Sequence, residues 1–182
     1  MAMGSDAVVG KGPSRRRSGR PRSAVFLAAG LFLSQAGPAP AAGGISSGQG
    51  DGATGSLWIN PGLYSIHFQD KKLNDNNHGI GVEYRYSETH SITAGEFKNS
   101  DWKISRYLSW YWQPFSLGPV KLGATIGALD GYPDFRDGGW FLAALPAATY
   151  EGKHFGLNVL LAPTYRDRIH GALSFQVKFR VW

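Results

Sequence analysis

The feature that most constrains this chain is a period of two. From Leu57 onward apolar residues recur at every second position between turn signals, and no long segment repeats them at i, i+3, i+4 and i+7. Ile80, Val82, Tyr84 and Tyr86 alternate with Gly81, Glu83, Arg85 and Ser87. Val120, Leu122, Ala124, Ile126 and Ala128 alternate with Lys121, Gly123, Thr125, Gly127 and Leu129. Leu173, Phe175, Val177, Phe179 and Val181 alternate with Ser174, Gln176, Lys178 and Arg180. Successive side chains of a strand point to opposite faces, so each run has one apolar face and one small or charged face. The expected fold is all-β, with eight strands near 57–68, 79–87, 91–98, 104–114, 119–129, 140–150, 155–163 and 169–182.

A soluble sandwich also alternates, but its turns need show no systematic difference in length between its two ends. Here most of the longer connections, above all the first and fifth, fall on one end and only short turns on the other. That asymmetry, an even strand number and strands long enough to cross a bilayer predict an eight-stranded antiparallel transmembrane β-barrel over residues 57–182. Its interior is expected to take Glu83, Arg85, Ser109, Lys121, Thr125, Asn158, Gln176 and Lys178. Eight strands leave a lumen that side chains fill or that holds one small ligand, not a wide pore. Tyr107, Trp110, Tyr111 and Trp112 in the fourth strand, and Tyr132, Phe135 and Trp140 near the fifth loop, are expected at the membrane interfaces. Trp182 supplies a terminal aromatic.

The first 41 residues are of another kind. Lys11, Arg15, Arg16, Arg17, Arg20 and Arg22 precede an apolar run from Ala24 to Leu33, followed by Ala39-Pro40-Ala41. This order of basic, apolar and small-residue segments is that of a secretory signal peptide spanning 1–41. Residues 42–56, rich in Gly and Ser, are expected to form a flexible N-terminal segment. The leader carries a net charge of +5 and the remainder only +1, so the basic balance belongs to the leader and a nucleic-acid partner is not expected. Export and a barrel together imply the outer membrane of a Gram-negative-type cell.

The chain has no cysteine, which excludes thiol nucleophiles, and its five histidines show no HxH or HExxH spacing, so no metal site or cofactor is expected. What remains is geometrical. With a periplasmic N-terminus, His67 lies at the outer end of the first strand, and Asn99, Ser100 and Asp101 lie at the outer end of the third. A histidine near a serine hydroxyl acts as a general base, and a neighbouring amide or carboxylate orients its ring. The competing reading is that these are ordinary polar rim residues.

The order of residues resembles a family. Leu57-Trp58-Ile59, Pro61 and His67, then Asn74-Asp75-Asn76-Asn77-His78-Gly79-Ile80-Gly81, then Ala94-Gly95-Glu96-Phe97-Lys98-Asn99-Ser100 are similar to the lipid A palmitoyltransferases. The resemblance implies an outer-membrane barrel that moves an acyl chain from a phospholipid donor to a lipid A acceptor. It implies His67 as the essential histidine and Ser100 as the essential serine, with Asn99 standing where those enzymes have aspartate; Asp101, one position further on and so directed to the other face of an extended strand, is the candidate to replace it. It further implies that Pro146 and Pro163, in neighbouring strands, flank a lateral opening in the wall, because proline brings no N–H to a ladder. Asn99→Asp is then expected to hold or raise the rate. The alternative is a non-catalytic small barrel with a structural or surface-interaction role. In either case a monomer is expected.

Overall fold

The computed structural model describes residues 54–69, 72–164 and 170–182. The leader, and nearly all of the Gly/Ser-rich segment after it, lie outside the described residues. Eight strands, β1 (Ser56–His67), β2 (Asn76–Arg85), β3 (His90–Lys98), β4 (Ile104–Leu117), β5 (Val120–Leu129), β6 (Phe141–Glu151), β7 (Phe155–Ala162) and β8 (Ala172–Arg180), pair antiparallel in sequence order. The barrel closes where β8 pairs with β1, from Trp58↔Arg180 to His67↔Ala172. Ser56, placed by the sequence in the flexible segment, belongs to β1 because it pairs with Arg85.

The period of two sorts residues as expected. Ile80, Leu108, Leu142 and Phe179 are each more than half exposed, whereas Glu83, Arg85, Asn158 and Lys178 are wholly buried. Apolar outside and charged inside is the reverse of a water-soluble domain and the pattern of a barrel whose exterior solvent is hydrocarbon. Two aromatic expectations do not hold. Tyr107 and Tyr111 share the inward face of β4 with Ser105, Ser109 and Gln113, so they line the lumen instead of an interface. Phe135 is buried against Phe141, with ring centroids 4.5 Å apart. Trp110, Trp112 and Trp140 do face outward.

The two ends differ more than the sequence implied. Connections of four, two and three residues (86–89, 118–119 and 152–154) close one end, with Gly118 at φ +57° in the two-residue turn. Connections of eight, five, eleven and nine residues (68–75, 99–103, 130–140 and 163–171) crown the other. We call these the short-turn end and the long-loop end.

Inside, the short-turn half is solid. Lys178 Nζ lies 2.8 Å from Glu83 Oε1 and 2.6 Å from Glu151 Oε1, and Arg85 Nε lies 2.6 Å from Glu151 Oε2. Asn158 donates to Glu83 Oε2 and Gln176 Oε1, Ser91 to Glu83 Oε1, and Gln113 to Thr149. Two acids and two bases cancel, so the charges are compensated, which burial requires. The half nearer the long loops is hollow.

Candidate functional site

β1 delivers His67 to the long-loop end as its last residue, with the side chain 4% exposed. The β3–β4 loop carries Ser100, and the residue just before β2 is Asp75. His67 Nε2 lies 2.8 Å from Ser100 Oγ, and His67 Nδ1 lies 2.7 Å from Asp75 Oδ1. An ionised carboxylate only accepts, so Nδ1 carries the proton and donates it to Asp75. In the neutral ring Nε2 then accepts from the Ser100 hydroxyl. The order serine, histidine, carboxylate is that of an activated nucleophile and its oriented base.

Two asparagines lock the three residues together. Asn74 donates its backbone N–H to Ser100 O at 2.9 Å and its Nδ2 to Lys98 O and Asn99 O. Asn77 Nδ2 donates to Lys98 O and Asn74 O, while its Oδ1 accepts from Ser65 Oγ at 2.6 Å. Ser65 N also donates to Asp75 O. The first loop is thereby tied to β1 on one side and to the end of β3 on the other.

Of the residues that sequence reasoning singled out, the structure brings His67 and Ser100 together and gives Asn99 a different task. The Asn99 side chain is fully buried beneath its own loop. Its Nδ2 donates to Ser105 Oγ at 2.9 Å and Gly131 O at 2.8 Å, and its Oδ1 accepts from the N–H groups of Asp101 and Lys103. All its capacity goes to holding a tight turn in which Trp102 sits at φ +62°, and none reaches the imidazole. Asp101 lines the cavity mouth without a hydrogen bond to His67. Burial pushes its carboxyl up, offset in part by the facing His170, with Asp134 adding to the rise and His67 opposing it. The orienting contact expected of Asn99 or Asp101 is made by Asp75, a residue quoted in the sequence only as part of an asparagine-rich run.

The triad stands at the mouth of a cavity of about 180 Å³. Ser100, Asp101 and His170 line its entrance, and Leu63, Phe97, Leu129, Leu145, Leu160 and Ala172 line its walls. Beside it the barrel wall is open. The β6–β7 ladder runs from Glu151↔Gly156 to Ala147↔Leu160 and stops, although β6 continues to Phe141 and β7 to Ala162. The break begins at Pro146, as its lack of an N–H predicts. β6 stays paired to β5 throughout, from Val120↔Tyr150 to Leu129↔Phe141, so the seam is confined to one side.

No protein-family model and no curated protein matches the chain. Among solved structures, one described as "De novo design of transmembrane beta-barrels" aligns with 71% of this chain and 98% of its own, at 13% identity and a TM-score of 0.49. The chain is a closed eight-stranded antiparallel barrel of the transmembrane type, on the strength of its own ladder and its inverted burial.

Proposed function

We propose that the protein is an outer-membrane acyltransferase that moves a fatty acyl chain from a phospholipid to lipid A. One observation carries the reading: the hydrogen-bonded chain Ser100, His67, Asp75 at the mouth of an apolar cavity. The open β6–β7 seam supports it, since an acyl chain has to pass from the bilayer into the lumen and unpaired backbone at membrane depth is tolerated where it borders a cavity. The sequence runs similar to the lipid A palmitoyltransferases supply the donor and acceptor classes.

Ser100 Oγ attacks the ester carbonyl of the donor as its proton passes to His67 Nε2. The Asp75 carboxylate stabilises the imidazolium that results. When the tetrahedral intermediate collapses, the departing lysophospholipid oxygen takes that proton and the acyl chain remains esterified to Ser100. An acceptor hydroxyl then gives its proton to His67 and attacks the acyl-serine, and the proton returns to Ser100 Oγ as it leaves. The apolar walls hold the chain through both steps, so that only the acceptor exchanges.

Mass analysis of lipid A from cells expressing the wild type or Ser100→Ala tests this. The reading predicts lipid A heavier by one acyl chain with wild type only. Identical lipid A in both would leave the non-catalytic barrel as the better account.

A further inference from the structure

His170, like His67, is held in one tautomer by a neighbour at the mouth of the cavity. The pairing of β1 with β8 runs on past both strands: His67 stands opposite Ala172, Phe68 N donates to Gly171 O at 2.9 Å, and His170 Nδ1 lies 2.9 Å from Gln69 Oε1. An amide oxygen only accepts, so His170 Nδ1 carries the proton and Nε2 is left as an acceptor. That nitrogen is bonded to no described residue, and the side chain lines the cavity entrance.

Asp101 reaches the same entrance from the other direction. It follows Ser100, whose Oγ lies 2.8 Å from His67 Nε2, in the loop after β3, and β3 and β8 lie on opposite sides of β1 around the barrel. Its backbone N–H donates to Asn99 Oδ1, but its carboxylate accepts from no described residue. The titratable groups that face it are His170, Asp134 and His67, with no lysine or arginine among them. Every unspent polar atom on these two side chains is therefore a hydrogen-bond acceptor. A group that donates satisfies them. An ionised phosphate brings more acceptors and a like charge, and here it would meet both without a compensating cation.

We propose that Asp101 and His170 form a head-group subsite beside Ser100 that takes a hydrogen-bond-donating group without negative charge and turns phosphate away. This rests on the phospholipid-to-lipid A reading given above and adds which part of an amphiphile lies at the mouth. A sugar hydroxyl of the acceptor and an ammonium group of the donor share the required chemistry, and the phosphates of both lipids are then held away from Ser100.

The test is binding to the purified full-length barrel in amphipol at neutral pH, with octyl glucoside, octylammonium and octyl phosphate as probes, read by isothermal titration calorimetry. The three share one chain and differ only in the head. At least one of the first two is expected to bind about tenfold more tightly than octyl phosphate. The glucoside leading assigns the subsite to hydroxyl groups, and the ammonium leading assigns it to cationic heads. His170→Phe and Asp101→Leu should each cut the margin by about threefold or more. The Asp101 side chain bonds to no described residue, so Asp101→Leu keeps the test decisive even if His170→Phe does not fold. The inference is overturned if octyl phosphate equals or exceeds both other probes, or if the margin survives in the folded variants. Binding needs no turnover, so the two readings fail separately. Acyl transfer without the head-group ranking overturns this inference alone, and the ranking without transfer overturns the proposed reaction alone.

Discussion

Asp75→Asn is the substitution that most sharply separates the site seen in the structure from the one expected from sequence. In wild type the Asp75 carboxylate accepts a hydrogen bond from His67 Nδ1–H at 2.7 Å, and in the proposed reaction it faces the imidazolium that forms when Ser100 is deprotonated. Asparagine keeps the volume but loses the charge, and its amide can present an N–H that favours the wrong tautomer. Two unit charges about 4 Å apart attract by about 1 kcal/mol in bulk water and about 4 kcal/mol at an effective dielectric near 20. His67 is 4% exposed and Asp75 54%, so the pair lies between these limits. The expected loss is therefore about 10- to 300-fold in kcat, well short of the roughly 10⁴-fold seen where a triad carboxylate is fully enclosed. Transfer of a labelled acyl chain from phospholipid to lipid A in detergent micelles measures it, with heat-modified gel mobility as the control for folding. A folded Asp75→Asn protein of undiminished rate would refute the assignment.

Asn99→Asp gives the opposite result to the one implied by resemblance. Its two donated bonds, to Ser105 Oγ and Gly131 O, cannot be made by a carboxylate, so the rate and the unfolding free energy measured in urea should both fall, the latter by about 2–5 kcal/mol. Lys178→Met removes one of the two buried cations shared by Glu83 and Glu151, leaving Arg85 against both, and should cost about 3–5 kcal/mol by the same unfolding measurement. At the long-loop end, burial pushes the Asp130 carboxyl up, but the Arg106 N–H and guanidinium outweigh it and hold it below the usual range. A carboxyl depressed in the folded state stabilises above its unfolded pKa and ceases to as pH falls through the folded value. Asp130→Asn should therefore lower the unfolding midpoint at pH 7, with the gap narrowing below about pH 4. Hydrogen exchange should show amides directed across the β6–β7 seam exchanging faster over 141–146 than over 147–151, and equal rates would close the proposed entry.

The barrel was legible because lipid and lumen impose opposite demands on alternate residues, and β2, β5 and β8 obey them at nearly every position. The same signal fails where the wall rises above the apolar band. Asn76, Asn77 and His78 belong to β2, but with no apolar partner in the alternation they read as loop. Those three residues matter, because the ladder they extend, Tyr64↔Asn76, sets Asp75 alongside the end of β1 and within reach of His67. Spacing along one chain placed His67 and Ser100 on a shared rim, since both end outward-running strands. It had no means to show that Asn99 folds back under its own loop, a matter of which carbonyls lie within reach of one amide. Tyr107 and Tyr111 were misplaced for a related reason: aromatic type suggested the interface, whereas register along β4 decides the face.

The central claim is that Ser100 carries the acyl chain in transit. Purified wild type incubated with a phospholipid labelled in its acyl chain, quenched in acid and digested, is predicted to yield a labelled peptide containing Ser100 that accumulates without lipid A and is discharged when lipid A is added. The absence of label on Ser100 in a preparation that still transfers the chain, or an equal yield of acylated lipid A from Ser100→Ala, would contradict the account.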